Sequence, residues 1–212
     1  MKCLRYLLQL IIALTVSVPV HAGVYEDFFR AVELDDARTV SRLLQRGFDP
    51  NTLDPQGQVG LFLALRGGSE QVVQVLLAHP DLKVDAANTS EETPLMMAAL
   101  RGALEPARRL LERGARVERP GWTPLHYAAS GPDLAMVRLL LDRGAPIDAR
   151  SPNGTTPLMM AARYGTEEAA ALLLERGADA SLRNQLELGA GDFARAVGRE
   201  ALARRLDGLM RR

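Results

Sequence analysis

Thr93-Pro-Leu-Met-Met-Ala-Ala99 is written again as Thr123-Pro-Leu-His-Tyr-Ala-Ala129 and as Thr156-Pro-Leu-Met-Met-Ala-Ala162, and a worn copy stands at Val59-Gly-Leu-Phe-Leu-Ala-Leu65. The shared leucines, Leu61, Leu95, Leu125 and Leu158, are 34, 30 and 33 residues apart. A period of that length marks a chain of stacked supersecondary units, each burying apolar surface against its neighbours. The unit at Thr123 shows the logic. Thr123 is placed to cap a first helix, and Pro124 sits in its first turn, where a missing N–H costs nothing. Ala128 and Ala129 are small enough for neighbouring first helices to approach closely. A second helix near Leu134 to Arg143 turns Leu134, Val137, Leu140 and Leu141 inward and Arg138 and Asp142 outward. Gly144 ends it, because the residue after a helix often takes a left-handed backbone that glycine adopts at little cost. Gly47, Gly114 and Gly177 hold the same place, while His79-Pro80-Asp81 replaces it with one extra residue.

The period and the Thr-Pro-Leu-His core resemble the ankyrin-repeat family over nearly the whole chain beyond its first 22 residues. The resemblance implies an all-α solenoid of about six helix-turn-helix units joined by short β-hairpin fingers. An amino-terminal cap is expected over 23–52, with helices near Tyr25–Glu33 and Asp36–Arg46. Internal repeats follow over about 53–86, 87–118, 119–150 and 151–183, and a carboxy-terminal cap over 184–212 keeps Asp192-Phe193-Ala194-Arg195-Ala196 without the Thr-Pro-Leu. Caps with a polar face are what a repeat stack needs at its ends. The connection Ala115-Arg-Val-Glu-Arg-Pro-Gly-Trp122 is three residues shorter than Ala145 to Thr155, which predicts a shortened finger and a notch with Trp122 at its base.

The first 22 residues read differently. Lys2 and Arg5 give a positive start, Tyr6 to Val18 is an apolar run, Pro19 breaks it, and Val20-His21-Ala22 offers small residues at a processing site. This is the layout of a secretory signal peptide with cleavage between Ala22 and Gly23. The alternative is an uncleaved anchor, for which a run shorter than the ~20 apolar residues of a membrane span is a poor fit. Cys3, the only cysteine, lies in the leader, so the processed chain would carry no disulfide, thiol nucleophile or thiolate metal site. Loss of Lys2 and Arg5 changes 26 basic against 26 acidic residues to 24 against 26. Both signs are interspersed, which argues against nucleic acid and against a polybasic membrane patch.

Catalytic groups are sparse. In the ankyrin family the histidine of Thr-Pro-Leu-His bonds backbone in the next finger, and the resemblance gives His126 that structural role. His79 has no partner at metal-ligand spacing. No Ser/His/Asp set, phosphate loop or paired carboxylates stand out, so neither catalysis nor a cofactor is expected. Met96-Met97 and Met159-Met160 could suggest Cu(I), but adjacent helical positions point about 100° apart and packing is the better account.

What remains is a surface. The resemblance implies that a partner binds the concave side, formed by finger bases and the exposed face of each first helix. The matching positions are Arg66, Glu92, Arg101, Trp122, Thr155, Arg163 and Tyr164. Aromatics among arginines are what interface hot spots are enriched in. Trp122 reads equally as an anchor or as a residue packed on its proline-containing finger. The chain resembles exported ankyrin-repeat proteins of Gram-negative bacteria. That implies a monomeric, non-catalytic adaptor or scaffold in the periplasm or secreted, binding an unidentified protein, or alternatively an inhibitor or immunity protein blocking a toxin or hydrolase.

Overall fold

A computed structural model describes the backbone of residues 18–209 and the side chains from Gly23 onward. Most of the leader expected at residues 1–22 lies outside the described residues. Its last five residues begin helix α1 (Val18–Glu33), which runs unbroken through Ala22-Gly23. The first unit pairs α1 with α2 (Ala37–Gln45). Five further pairs follow: α3 (Gly60–Gly67) with α4 (Glu70–Ala78), α5 (Pro94–Arg101) with α6 (Leu104–Glu112), α7 (Pro124–Ser130) with α8 (Leu134–Asp142), α9 (Pro157–Arg163) with α10 (Glu167–Glu175), and α11 (Ala190–Arg195) with α12 (Glu200–Leu209).

Helices α5 and α9 start at the motif because their caps work. The hydroxyls of Thr93 and Thr156 accept the N–H groups of Met96 and Met159, and a proline occupies the first turn. At Thr123 the expected cap is replaced by a contact of its hydroxyl with His126 Nδ1 at 2.9 Å, and α3 follows Val59 with no side-chain cap. First helices stack in one row, each packing on the next. Leu61, Leu95, Leu125 and Leu158 lie at the centre of that row, all fully buried, which is worth about 1.5–3 kcal/mol for each side chain. Closeness is enforced by Gly165. A Cβ there would stand 2.0 Å from the carbonyl oxygen of Ala129, so no larger residue fits between α7 and the end of α9. In α8 the buried face is Met136, Val137, Leu139 and Leu140, whereas Leu134 and Leu141 are only half-buried. The inward face is thus turned from the one expected by the inclusion of Met136 and Leu139.

The fingers are turns rather than hairpins. Among the described residues the one ladder pairing is an isolated antiparallel bridge between Leu53 and Val59. Instead four of the five fingers close with a backbone bond across five residues: Asp54 to Gln58, Asn88 to Glu92, Ser151 to Thr155 and Asn184 to Leu188. The first side chain of each turn also accepts finger N–H groups, as Asn88 Oδ1 does from Ser90 and Glu92 at 2.9 Å. Such Asx turns satisfy the backbone without a partner strand. Glycine or glutamate then takes the left-handed position (Gly57, Glu91, Gly121, Gly154 and Glu187). The 118–122 finger keeps Gly121 at φ 81° but lacks the closing bond. Its three missing residues come from the stretch between helix and finger tip, not from the tip.

Neighbouring units are also stitched by side chains. Asp35 Oδ1 accepts the N–H of Val72 at 2.8 Å, capping α4 from the preceding unit. Arg113 donates to the carbonyls of Leu77, His79, Pro80 and Leu82, which closes the irregular helix end at His79-Pro80. Arg199 does the same for Gly165 at 2.7 Å.

Candidate protein-binding face

The exposed side of the first-helix row carries a second register two residues after the shared leucines. It reads Leu63, Met97, Tyr127, Met160 and, in the last unit, Phe193. Most of these side chains are partly buried against the core yet reach the surface. At the middle of the row they open into a depression of about 530 Å³ lined by Leu100, Trp122, His126, Tyr127, Ser130, Met160 and Tyr164. The lining is almost wholly apolar.

Each wall is held in place. Trp122 stands edge-on to the His126 ring, with centroids 5.2 Å apart and planes at 77°. His126 is fully buried. Its Nδ1 accepts the N–H of Thr123 at 3.1 Å, which leaves the proton on Nε2 to donate to the Thr155 carbonyl at 2.9 Å. Burial pushes its pKa below the usual imidazole value, opposed in part by the bond to the Thr155 carbonyl, so the ring is a neutral strut between two units. Tyr127 donates its hydroxyl to Glu92 Oε1 at 2.9 Å, and the other Glu92 oxygen accepts from Asn88 Nδ2 at 2.9 Å. Burial first, and then the hydrogen bond to Glu92, raise the Tyr127 pKa, which keeps it a donor. Tyr164 is 57% exposed, and the Arg163 guanidinium lies 5.3 Å from its ring centroid.

The sequence-predicted positions separate here. Trp122 and Tyr164 share the pocket, Glu92 reaches it through Tyr127, and Arg163 adjoins it over Tyr164. Arg66 is turned to Gln58, whose Oε1 it bonds at 2.7 Å. Arg101 lines a different groove with Glu70 and Gln74. Thr155 is a correction: its side chain is 2% exposed, with its N–H bonded to Ser151 Oγ at 2.9 Å, so only its carbonyl acts, toward His126. It cannot meet a partner. Tyr127, Leu100 and Met160 were missed, although the apolar row two positions beyond the leucines is visible in the sequence. Met96 and Met159 are buried, as packing requires, with their sulfurs accepting from Thr93 and Thr156 N–H at 3.4 Å. Met160 is different, because it reaches the pocket.

A stacked-helix solenoid with an apolar, aromatic-walled face belongs to the class of repeat proteins that bind other proteins. The chain is a member of the ankyrin-repeat family: the family described as Ankyrin repeats (3 copies) matches residues 28–120 and 115–184. The nuclear factor NF-kappa-B p105 subunit of Gallus gallus is 31% identical over 161 residues, 73% of this chain and 16% of that protein. A B-cell lymphoma 3 protein homolog of Mus musculus is 32% identical over 152 residues, 68% of this chain and 34% of that protein. The chain therefore spans about a sixth and a third of the lengths of these relatives. Among solved structures, the complex of the Bd0816 predatory endopeptidase from Bdellovibrio bacteriovorus with immunity protein Bd3460 contains a chain matching at TM-score 0.72 and 28% identity. The match covers 86% of this chain and 97% of that one. The ankyrin repeat domain of Bcl-3 matches at TM-score 0.66 and 30% identity, covering 84% and 81%. Ankyrin repeats form protein–protein interaction modules, and this chain is built as one.

Proposed function

We propose that the chain is a non-catalytic module that captures one protein partner on its concave face, with the Trp122–Tyr127–Tyr164 pocket as the anchor point. The observation that carries this is the pocket itself. It is apolar, central in the stack, and rimmed by Tyr164 and Arg163, the residue types that dominate interface energetics. The inhibitory form of the role, in which the face blocks a toxin or hydrolase, is favoured over an adaptor. A complex of an endopeptidase with its immunity protein supplies a chain of the same fold over nearly its full length. The charged and apolar pattern of residues 1–22 supports export to the periplasm, with Gly23 as the first residue after processing. Amino-terminal sequencing of the exported chain should read Gly-Val-Tyr-Glu; a chain beginning at Met1 and held in the membrane fraction would end that part of the proposal.

The function is tested with the processed chain as bait beside Trp122→Ala and Tyr164→Ala. A buried aromatic anchor commonly contributes 2 kcal/mol or more, about thirtyfold in affinity. Both variants should lose capture of the partner at that scale while keeping helical circular dichroism and a melting temperature near wild type. For the inhibitory role, equimolar wild-type chain should suppress the captured partner's hydrolase activity and Trp122→Ala should not. Variants that bind normally but melt early would show that the pocket aromatics serve packing alone.

A further inference from the structure

The junction between the third and fourth units is built unlike the others. Elsewhere an acidic or amide side chain near the start of one connection accepts the N–H of the matching residue in the next unit. Asn51 Oδ1 takes Lys83 at 2.7 Å, Asp85 takes Arg116 at 3.2 Å, and Asp148 takes Asp179 at 3.0 Å. The three-residue shortening after Val117 removes that acceptor from the third unit. The residue that would have donated to it is Pro146, which has no N–H. The arginine before each helix-ending glycine shows the same break. Arg113 reaches the carbonyls of the preceding unit, and Arg176 bonds Asp142 Oδ1 at 2.9 Å. The Arg143 side chain, in the same register, makes no hydrogen bond or ion pair among the described residues and is exposed; only its backbone N–H is bonded, to the end of its own helix.

The packing follows suit. First helices α5 and α7 pack closely, whereas the second helices α6 and α8 make little contact. Between internal units no other pair of second helices does so; α4 packs on α2 and on α6, and α10 on α8. The gap is an open depression of about 770 Å³ lined by Leu111, Val117 and Pro120 with Arg116, Arg119 and Arg143. Glu118 is its one carboxylate. Asp85 and Glu91, the nearby acids, are already held by Arg116 at 3.2 Å and Arg119 at 2.8 Å.

We infer that this depression is a second contact site, taking an acidic segment of the protein partner in which an aspartate or glutamate stands beside an apolar side chain. The carboxylate supplies Arg143 with the acceptor that Arg113 and Arg176 find within the chain, in the paired geometry that guanidinium and carboxylate favour. The apolar neighbour covers Leu111, Val117 and Pro120. The inference rests on the reading of the chain as a protein-binding module, but it uses a site apart from the aromatic pocket.

The test uses two peptides, N-acetyl-Leu-Glu-Asp amide and N-acetyl-Leu-Lys-Lys amide, titrated at millimolar concentration and low salt into isotope-labelled processed chain. The acidic peptide should move the amide resonances of Ala115, Arg116, Val117 and Ala145, and the basic one should leave them in place. Arg143→Gln should weaken the acidic response at least fivefold, whereas Tyr164→Ala should leave it unchanged. Equal responses to both peptides, indifference to Arg143→Gln, or shifts centred on Trp122 would each overturn the inference. Such a result alongside intact Trp122-dependent capture would refute the second site and leave the concave reading standing.

Discussion

Leu140→Ala should lower the unfolding free energy by about 2–5 kcal/mol, the range for a leucine truncated in a core that collapses only partly. Leu140 is fully buried on α8, in a unit with neighbours on both sides. Repeat stacks couple each unit only to the next, so a cavity there weakens the fold of its own unit and its seating on two others. Leu141→Ala is the internal control, since that side chain is half-buried and its truncation should cost less. Urea melts of the two variants and wild type decide the matter. Equal midpoints for Leu140→Ala and wild type would mean that α8 presents a different face to the core.

His126→Ala should cost about 1–3 kcal/mol, because the Thr123 N–H would be left buried without an acceptor. His126→Met should cost less. In the flanking units Met96 and Met159 already accept that N–H through sulfur; what methionine cannot do is donate to Thr155. The same residue makes wild-type stability depend on pH. Its folded pKa lies below the unfolded value of about 6.5, so the unfolded chain takes up the proton first. Its contribution is therefore complete above about pH 6.5 and falls away as pH drops through the depressed folded value. Urea midpoints compared at neutral and mildly acidic pH should fall for wild type and stay nearly level for His126→Met. An unchanged wild-type midpoint would show that the ring is not held neutral.

Much of the architecture was legible because the repeat writes its own punctuation. Threonines before the helix, first-turn prolines and helix-ending glycines each have a local physical cause, and the first helices at Pro94, Pro124 and Pro157 begin where those signals place them, while the worn copy at Gly60 is placed by the repeat period. The fingers were less legible. Whether a connection pairs as a hairpin or closes as an Asx turn depends on side-chain acceptors such as Asp54, Asn88 and Asn184, which a motif search passes over. Thr155 was misplaced for a related reason. Its position before Thr-Pro-Leu matches that of Trp122, but a preceding Ser151-Pro-Asn-Gly turn folds its side chain inward, where Pro120-Gly121 leaves Trp122 half-exposed. Tyr127 follows the motif histidine, whose strong structural signal masks the partly exposed ring beside it. Arg143 had no signal in its own neighbourhood, because its isolation depends on how its unit seats on the one before it.

Trp122 is the sole indole of the chain, and its edge contact with the His126 ring gives the protein a built-in optical gauge. The emission of a half-hydrated indole moves to shorter wavelength when water leaves its surroundings, as the pocket's filling would require. A protonated imidazole against the same ring quenches that emission, whereas a neutral one does so weakly. Wavelength and intensity therefore report two different events at one place: occupation of the binding face, and the charge of the strut behind it. Neither needs a label.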